Sequence, residues 1–212
     1  LSSLAYAKRK TEELGISNIE YMQADILDIR ALNQKFDIIE SVGVLHHMDN
    51  PMSGWKVLKE CLKPGGLMRI GLYSESARRD IIKMRNEIKQ LDIDSSDESM
   101  KSFRKKIVDS EEEHHQLEVL SLDFYSMSTF RDLLFHTQEH RFTIIQIKDY
   151  LTQLGLVFCG FESNEIIKKF TSENLEENAI YDLEKWNDFE KLNPRIFAGM
   201  YQFWCQKISL FE

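Results

Sequence analysis

The sequence has few of the residues that form cross-links or membrane spans. Its three cysteines, Cys61, Cys159 and Cys205, stand singly in apolar surroundings. This spacing favours small buried side chains over a disulfide framework or a zinc site, and it fits a reducing cytoplasm. No apolar run approaches the roughly 18–20 residues that a transmembrane helix needs. We therefore expect a cytoplasmic protein without a membrane partner.

Basic charge is also in short supply, since the chain carries a net charge of −8. Nucleic-acid phosphates are bound by basic surfaces, so nucleic acid is the least favoured partner. The 212 residues are 42% hydrophobic and 29% charged. This composition is typical of a globular protein, and the length fits one ordinary domain, with or without an insertion.

The chain does contain a β-α-β pattern between Phe36 and Tyr73. Two apolar runs, 36–42 and 67–73, are too short for core helices and flank an amphipathic segment that Asn50 and Pro51 can begin. Such a unit is typical of a parallel sheet, in which ligands bind at the carboxyl ends of the strands. Small, polar and titratable side chains follow both runs.

The remaining periodicity predicts a helical middle between two α/β parts. We expect helices over 3–14, 76–91, 143–154 and 172–192, and further strands over 19–22, 156–161 and 200–206. Residues 92–113 are polar and predict a mobile loop with at most a short helix near Phe103. The run Glu111–Glu113 with His114 and His115 predicts a solvated surface without function.

Three blocks in order, Gln23–Ile26, Phe36–His47 and Leu62–Tyr73, resemble the middle of a class I S-adenosylmethionine-dependent methyltransferase. The blocks Arg131–Phe142 and Tyr201–Trp204 further resemble bacterial methyltransferases fused to tetratricopeptide repeats. The resemblance implies an α/β fold with a Rossmann-like sheet of strand order 3-2-1-4-5-7-6. It implies a methyltransferase core over 1–75 and 142–212, with 76–141 as a mostly helical insertion that caps the substrate side.

The resemblance also implies S-adenosyl-L-methionine as the cofactor and a set of residues that bind it. Asp25 matches the acid that accepts a hydrogen bond from the adenine amino group, and Ile26 matches the residue that covers the ring. Ser41 and Gly43 match the turn beside the methionine or ribose part. Taken alone, Asp25 would fit a helix cap or a solvated loop acid better than a cofactor contact, and its place in the three ordered blocks reverses this preference.

His46 and Tyr73 are the candidate catalytic residues, because they follow the strands that face the methyl group. Methyl transfer from a sulfonium requires an oriented nucleophile, and a histidine can remove its proton near neutral pH. Loop structure or substrate contact is the alternative role for His46.

A substrate-side cluster is predicted over the cofactor mouth, formed by His47, Arg131, His136, Glu139 and His140. A buried salt-bridge network that ties the insertion to the core is the competing interpretation. His136, Glu139 and His140 also spell the H-x-x-E-H pattern of inverted zinc peptidases, which leaves a zinc hydrolase as a remote alternative.

Two features of the family are missing from this sequence. No glycine-rich loop occurs, since the first glycine is Gly15 at the end of a predicted helix, and Leu1–Ser3 resembles the residues just after the ribose-binding acid. We expect that the first two strands lie upstream in a longer protein, or that another copy completes the sheet. The fragment alone should then be inactive. The methyl acceptor is unidentified, with protein or small molecule favoured, and a non-catalytic binding module is the alternative function.

Overall fold

The computed structural model describes residues 2–119, 124–136 and 138–209, apart from the side chains of Leu117 and Glu118. Leu1 and Thr137, which belong to two of the predicted blocks, lie outside the described residues.

The described residues form α/β structure at both ends of the chain and helices alone in the middle. The helices are α1 (Ser2–Glu13), α2 (Pro51–Cys61), α3 (Arg79–Gln90), α4 (Asp97–Val108), α5 (Glu113–Val119), α6 (Met127–Phe135), α7 (Ile144–Leu154), α8 (Asn164–Glu173) and α9 (Leu183–Leu192). The strands are β1 (Phe36–Val42), β2 (Leu62–Leu72), β3 (Leu156–Phe161) and β4 (Tyr201–Lys207). Short 3₁₀ helices span Ile26–Leu32, Leu45–His47 and Ala179–Tyr181.

The strands form one sheet in the order β1-β2-β4-β3. β1 and β2 are parallel and are joined through α2, whereas β4 runs antiparallel to both β2 and β3. This is the 4-5-7-6 half of the predicted strand order. The prediction of an α/β fold with a Rossmann-like, incomplete sheet is therefore confirmed.

The main core lies between this sheet and the helices α2, α7 and α9. Asn50 begins α2 as predicted, because its side-chain oxygen accepts a hydrogen bond from the Ser53 N–H at 3.2 Å. Trp55 and Leu58 of α2 are buried in this core. In the same core Trp186 of α9 stacks on Phe170 of α8 at a ring distance of 3.7 Å.

A second apolar cluster lies in the helical middle of the chain. It joins α3, α4 and α6 through the buried residues Ile81, Met84, Ile88, Met100, Phe103, Ile107, Phe124, Phe130, Leu133 and Leu134. The predicted loop over 92–113 is therefore largely helical, because Ser96 caps α4 and three of these apolar side chains lie on one face of it. None of the helices in the described ranges is both long and apolar enough to span a bilayer.

The strand predicted over 19–22 is not formed. Ile19 and Met22 are 47% and 48% exposed, and the segment is irregular. A strand needs a neighbour to satisfy its backbone groups, and the described residues place no strand beside this segment.

Three other boundaries differ from the predictions. β2 begins at Leu62 rather than Leu67, since Gly65, at φ +74°, allows an irregular strand without breaking it. The predicted helix over 172–192 is α9 alone, which Asp182 caps. The preceding helix α8 was not predicted; Ser163 caps it, and Phe170 is its buried residue.

Candidate functional site

The site is built where β1 and β2 end side by side. Ser41 of β1 is buried, and it pairs in register with Ile70 of β2. Gly43 follows β1 at φ +77°, a backbone conformation that glycine adopts without strain, and it faces open space. The sequence placed both residues at this strand end, and that is where they lie.

The two histidines after β1 stand in a stack of aromatic rings. His46 is fully buried, and its ring lies 4.1 Å from Tyr73 and 4.3 Å from His47. His47 in turn lies 4.2 Å from the ring of His136. The structure therefore brings together four of the predicted site residues, from three separate segments of the chain.

His46 is held in its neutral form. Burial, and after it the repulsion from His47 and Arg78, lowers the pKa of His46 to about 3, against a smaller opposing effect of the Gly71 backbone. Neither ring nitrogen makes a well-formed hydrogen bond within the described part of the chain. A neutral imidazole with free nitrogens can accept or donate a hydrogen bond to a ligand.

The segment 138–142 crosses the two strand ends and is fixed to them by backbone hydrogen bonds. The His140 N–H donates to the His46 carbonyl at 2.8 Å, and the Phe142 N–H donates to the Tyr73 carbonyl at 2.9 Å. The ring nitrogen Nδ1 of His47 lies 3.0 Å from the Gln138 carbonyl oxygen. This segment therefore forms one wall of the site.

Glu139 connects the site to the helical middle of the chain. Its buried carboxylate accepts hydrogen bonds from Arg78 at 3.2 Å and from Arg85 at 2.9 Å. The Arg78 guanidinium also lies 3.5 Å from the centre of the Tyr73 ring, close enough for a cation–π interaction. The network that the sequence offered as the competing interpretation of Glu139 is thus present. Substrate recognition by this cluster stays a prediction.

Arg78 and Arg85 lie in the helix predicted over 76–91, and neither was named as a site residue from the sequence. Their separation by seven residues, which places both on one helix face, is the signal that could have singled them out. Glu190 was also missed. It accepts hydrogen bonds at 2.7 Å from Ser74 Oγ and from the Tyr201 hydroxyl, and burial raises its pKa.

Three predicted site residues lie outside this cluster of contacts. Asp25 is exposed and caps the 3₁₀ helix Ile26–Leu32, accepting a hydrogen bond from the Leu27 N–H at 2.8 Å. Ile26 packs against the edge of the main core. Arg131 lies on the outer side of α6 and pairs with Asp97 at 2.8 Å, a placement that does not favour a substrate role.

The histidine patterns also differ from expectation. Because α6 ends at Phe135, His136 and His140 do not share a helix face, and Glu139 is occupied by two arginines. The zinc-hydrolase alternative therefore finds no support.

The prediction of a solvated surface was wrong for His114 and His115, which lie against Glu87, with His115 buried.

The parallel strands β1 and β2 of this α/β fold end beside buried polar groups of Ser41 and His46 that have no hydrogen-bond partner among the described residues. Strand ends of this kind are where α/β proteins bind ligands, so this is the candidate ligand site. A family model described as "Methyltransferase domain" matches residues 2–128, which is more than half of the chain. The chain belongs to this methyltransferase family, as the sequence predicted. Family membership supports S-adenosyl-L-methionine as the cofactor.

Similar proteins agree with this membership. An uncharacterized protein of Synechococcus sp. is 27% identical over 212 aligned positions, which cover 92% of this chain and 50% of the relative. The ubiquinone biosynthesis O-methyltransferase of Cereibacter sphaeroides is 30% identical over 66 positions, 31% of this chain and 26% of that protein.

Among solved structures, PKMT2 from Rickettsia typhi in complex with AdoHcy matches the fold with a TM-score of 0.71 at 16% identity. The match covers 100% of this chain and 43% of that protein. The chain thus spans at most about half the length of the relatives it matches.

Proposed function

We propose that this chain contributes to the transfer of a methyl group from S-adenosyl-L-methionine to an acceptor that binds beneath the segment 138–142. The observation that carries the proposal is a group of buried polar atoms without hydrogen-bond partners among the described residues. They are Ser41 Oγ, both ring nitrogens of His46, and Nε2 of His140. A buried polar atom left unpaired costs about 1–3 kcal/mol, so a ligand that supplies partners is strongly favoured here.

The residues present fit the cofactor. In our proposal Ser41 and Gly43 contact the methionine or ribose part, because the polar side chain and the open glycine lie at the end of β1. Asp25 accepts a hydrogen bond from the adenine amino group, and Ile26 covers the ring. The bound cofactor supplies an electrophilic methyl group; the protein must orient the acceptor toward it.

His46 contacts the substrate in this proposal rather than acting as the general base. A side chain with a pKa of about 3 accepts a proton poorly at neutral pH, where a base works best with a pKa near the operating pH. Its neutral imidazole instead offers hydrogen bonds to a polar acceptor. The wall around the His46 ring is completed by Tyr73, His47 and His136. The Arg78 guanidinium lies over the Tyr73 ring.

The acceptor is a protein side chain or a small molecule in this proposal. The net charge of −8 disfavours a nucleic acid. Glu139 and His140 lie on the wall of the site, where Glu139 Oε1 and His140 Nε2 have no partner among the described atoms. These two atoms are the ones we assign to the acceptor side.

A further part of the protein, or another copy, completes the sheet beside β1. β1 is an edge strand of the sheet that the described residues form, and it exposes Phe36 and Ile38. An exposed apolar edge strand is a surface that proteins normally cover. Because the match covers 92% of this chain but only 50% of the Synechococcus relative, an upstream segment is our preferred partner. We also place the protein in the cytoplasm, since its three cysteines are unpaired.

The experiment that tests the cofactor site uses Asp25 in the full-length protein. We expect Asp25→Ala to weaken binding of S-adenosylmethionine by about 1–3 kcal/mol in calorimetry, because the proposed hydrogen bond from the adenine amino group to a charged carboxylate is lost. Asp25→Ser separates this role from capping, since serine caps a helix as well as aspartate does but is too short to reach the adenine. It should therefore bind as weakly as Asp25→Ala.

Asp28→Ala is the matched control, because Asp28 is a neighbouring exposed acid with no assigned contact to the cofactor. It should leave affinity unchanged. If Asp25→Ser binds like the unmodified protein, the assignment of Asp25 fails. If the cofactor binds but no methylated product forms with any protein or small-molecule acceptor offered, the non-catalytic binding module becomes the better description.

A further inference from the structure

Two imidazoles and one carboxylate meet between α3 and α5, away from the site described above. The Nε2 atom of His114 lies 2.6 Å from one carboxylate oxygen of Glu87. The Nε2 atom of His115 lies 3.0 Å from the same oxygen and 3.1 Å from the other. The three ligand-type atoms lie within 4.8 Å of one another. Histidine nitrogens and a carboxylate oxygen are the donor set of many protein zinc sites.

The spacing needs little change to hold an ion. Bonds of about 2.0–2.1 Å in tetrahedral geometry place the ligand atoms of Zn²⁺ about 3.3 Å apart. The contacts at 2.6 Å and 3.0 Å fall short of this by a fraction of an ångström. Small side-chain rotations are sufficient to open them.

Ser110 orients one of the imidazoles. Its Oγ lies 2.7 Å from Nδ1 of His115 and is itself held by the Glu112 N–H at 3.1 Å. A metal-binding histidine commonly donates a hydrogen bond from its second ring nitrogen, which fixes the tautomer and the ring. Ser110 thereby directs the Nε2 atom of His115 toward Glu87.

The carboxylate of Glu87 already lies beside a cation. The competing cation is Lys106, whose ammonium lies 3.8 Å from the same carboxylate on a half-exposed side chain. That side chain can move into solvent when another cation binds.

The cluster also lies where a short helix needs support. α5 has seven residues, and a helix of this length is marginal without tertiary contacts. Of its described side chains, His115 is buried and Val119 is partly buried against the second apolar cluster. Among the described side chains, His114 and His115 attach α5 to α3 through Glu87.

We propose that Glu87, His114 and His115 bind one divalent transition-metal ion, best matched by Zn²⁺, which fastens α5 to α3. Water completes the coordination on the more open side of His114. The role is structural and does not depend on the proposed methyl transfer.

The experiment measures metal binding by the full-length protein. We expect about one Zn²⁺ per chain after dialysis, visible absorption bands of a nitrogen- and oxygen-bound ion with Co²⁺, and a rise in the unfolding midpoint when Zn²⁺ is added. Glu87→Gln and His115→Ala should abolish stoichiometric binding. Ser110→Ala should weaken it by about 10–100-fold.

Two further variants keep the proposal falsifiable if a ligand variant fails to fold. Lys106→Ala changes an exposed side chain and should strengthen Zn²⁺ binding several-fold, because the competing cation is gone. His136→Ala, in the other histidine cluster, should leave binding unchanged. The proposal is overturned if the unmodified protein binds no Zn²⁺ or Co²⁺, if binding survives in Glu87→Gln, if it is lost in His136→Ala, or if Lys106→Ala does not strengthen it.

Discussion

His46 shows how the site controls the charge of a single residue. Its imidazole is fully buried between Tyr73 and His47, near the Arg78 guanidinium. Burial and the neighbouring positive groups favour the neutral ring, which lowers the pKa from 6.5 to about 3. The same environment that keeps the ring available for hydrogen bonds makes the folded state sensitive to acid.

The first prediction follows from that pKa. Between pH 6.5 and pH 3 the unfolded chain protonates His46 but the folded chain does not, so stability falls as the pH falls through this window. We expect His46→Phe to remove this dependence. From pH 6.5 to pH 4.5 the free energy of unfolding of His46→Phe should fall by about 2 kcal/mol less than that of the unmodified protein. Urea denaturation at the two pH values measures the difference.

Leu45→Val is the control for this measurement, because Leu45 is a buried neighbour that does not titrate. It should lower stability by a similar amount at both pH values, through lost packing. An equal pH dependence in His46→Phe and in the unmodified protein would show that His46 is protonated in the folded state.

At the scale of the secondary-structure elements, helix α7 is stabilised by hydrogen bonds in its first turn. Thr143 Oγ1 accepts a hydrogen bond from the Gln146 N–H at 3.2 Å, and Gln146 Oε1 accepts one from the Thr143 N–H at 2.8 Å. In this capping box each of the two side chains accepts a hydrogen bond from the backbone N–H of the other residue. It also fixes the chain directly after the segment 138–142, which is a wall of the site.

The second prediction concerns that cap. Thr143→Ala should destabilise the protein by about 0.5–2 kcal/mol, whereas Thr143→Ser should restore most of the loss. Thermal or urea unfolding gives both values. Thr152→Ala serves as the comparison in the same helix. The exposed Thr152 hydroxyl donates a hydrogen bond to the Lys148 carbonyl of the preceding turn, and its removal should change stability by at most about 0.5 kcal/mol. Equal effects of Thr143→Ala and Thr152→Ala would mean that the box contributes nothing.

Elements with local signals could be predicted from the sequence. Asn50 with Pro51 for α2 and Thr143 with Gly155 for α7 mark the ends of those helices by their own chemistry, and the structure has them there. The strand predicted over 19–22 failed because a strand depends on a partner, which no local pattern reports. α4 was underestimated because its polar composition concealed one apolar face.

The site was predictable to the same extent. Small and titratable residues after β1 and β2 follow from the rule that ligands bind at strand ends, so Ser41, Gly43, His46 and Tyr73 could be found. The partners of Arg78, Arg85 and Glu190 could not be predicted, because they are distant in sequence. The contact between Glu139 and Arg78 joins residues 61 positions apart. Only the tertiary fold determines such pairs.

At the scale of the whole molecule, the sheet has two unlike edges. β3 forms one edge beside β4 and β1 forms the other beside β2. The residues that precede β1 in the chain also expose apolar side chains: Leu14, directly after α1, is 72% exposed, and Ile19 and Met22 are about half exposed. On β1 itself, exposed Phe36 and Ile38 make an apolar edge strand, which is a surface on which another strand can pair.

The last prediction tests what that surface does. We expect the 212-residue chain to self-associate through β1 in a concentration-dependent way, measured by analytical ultracentrifugation. Ile38 is 55% exposed on β1, and a charge on an edge strand opposes pairing with another strand. Ile38→Lys should therefore weaken association by at least about tenfold, or about 1.4 kcal/mol.

Val157→Lys is the matched change on the other edge, because Val157 is 50% exposed on β3. It should leave association unchanged. Equal effects of the two lysines would mean that general surface charge, rather than the β1 edge, controls association, and a monomer at every concentration would remove the need for a partner beside β1.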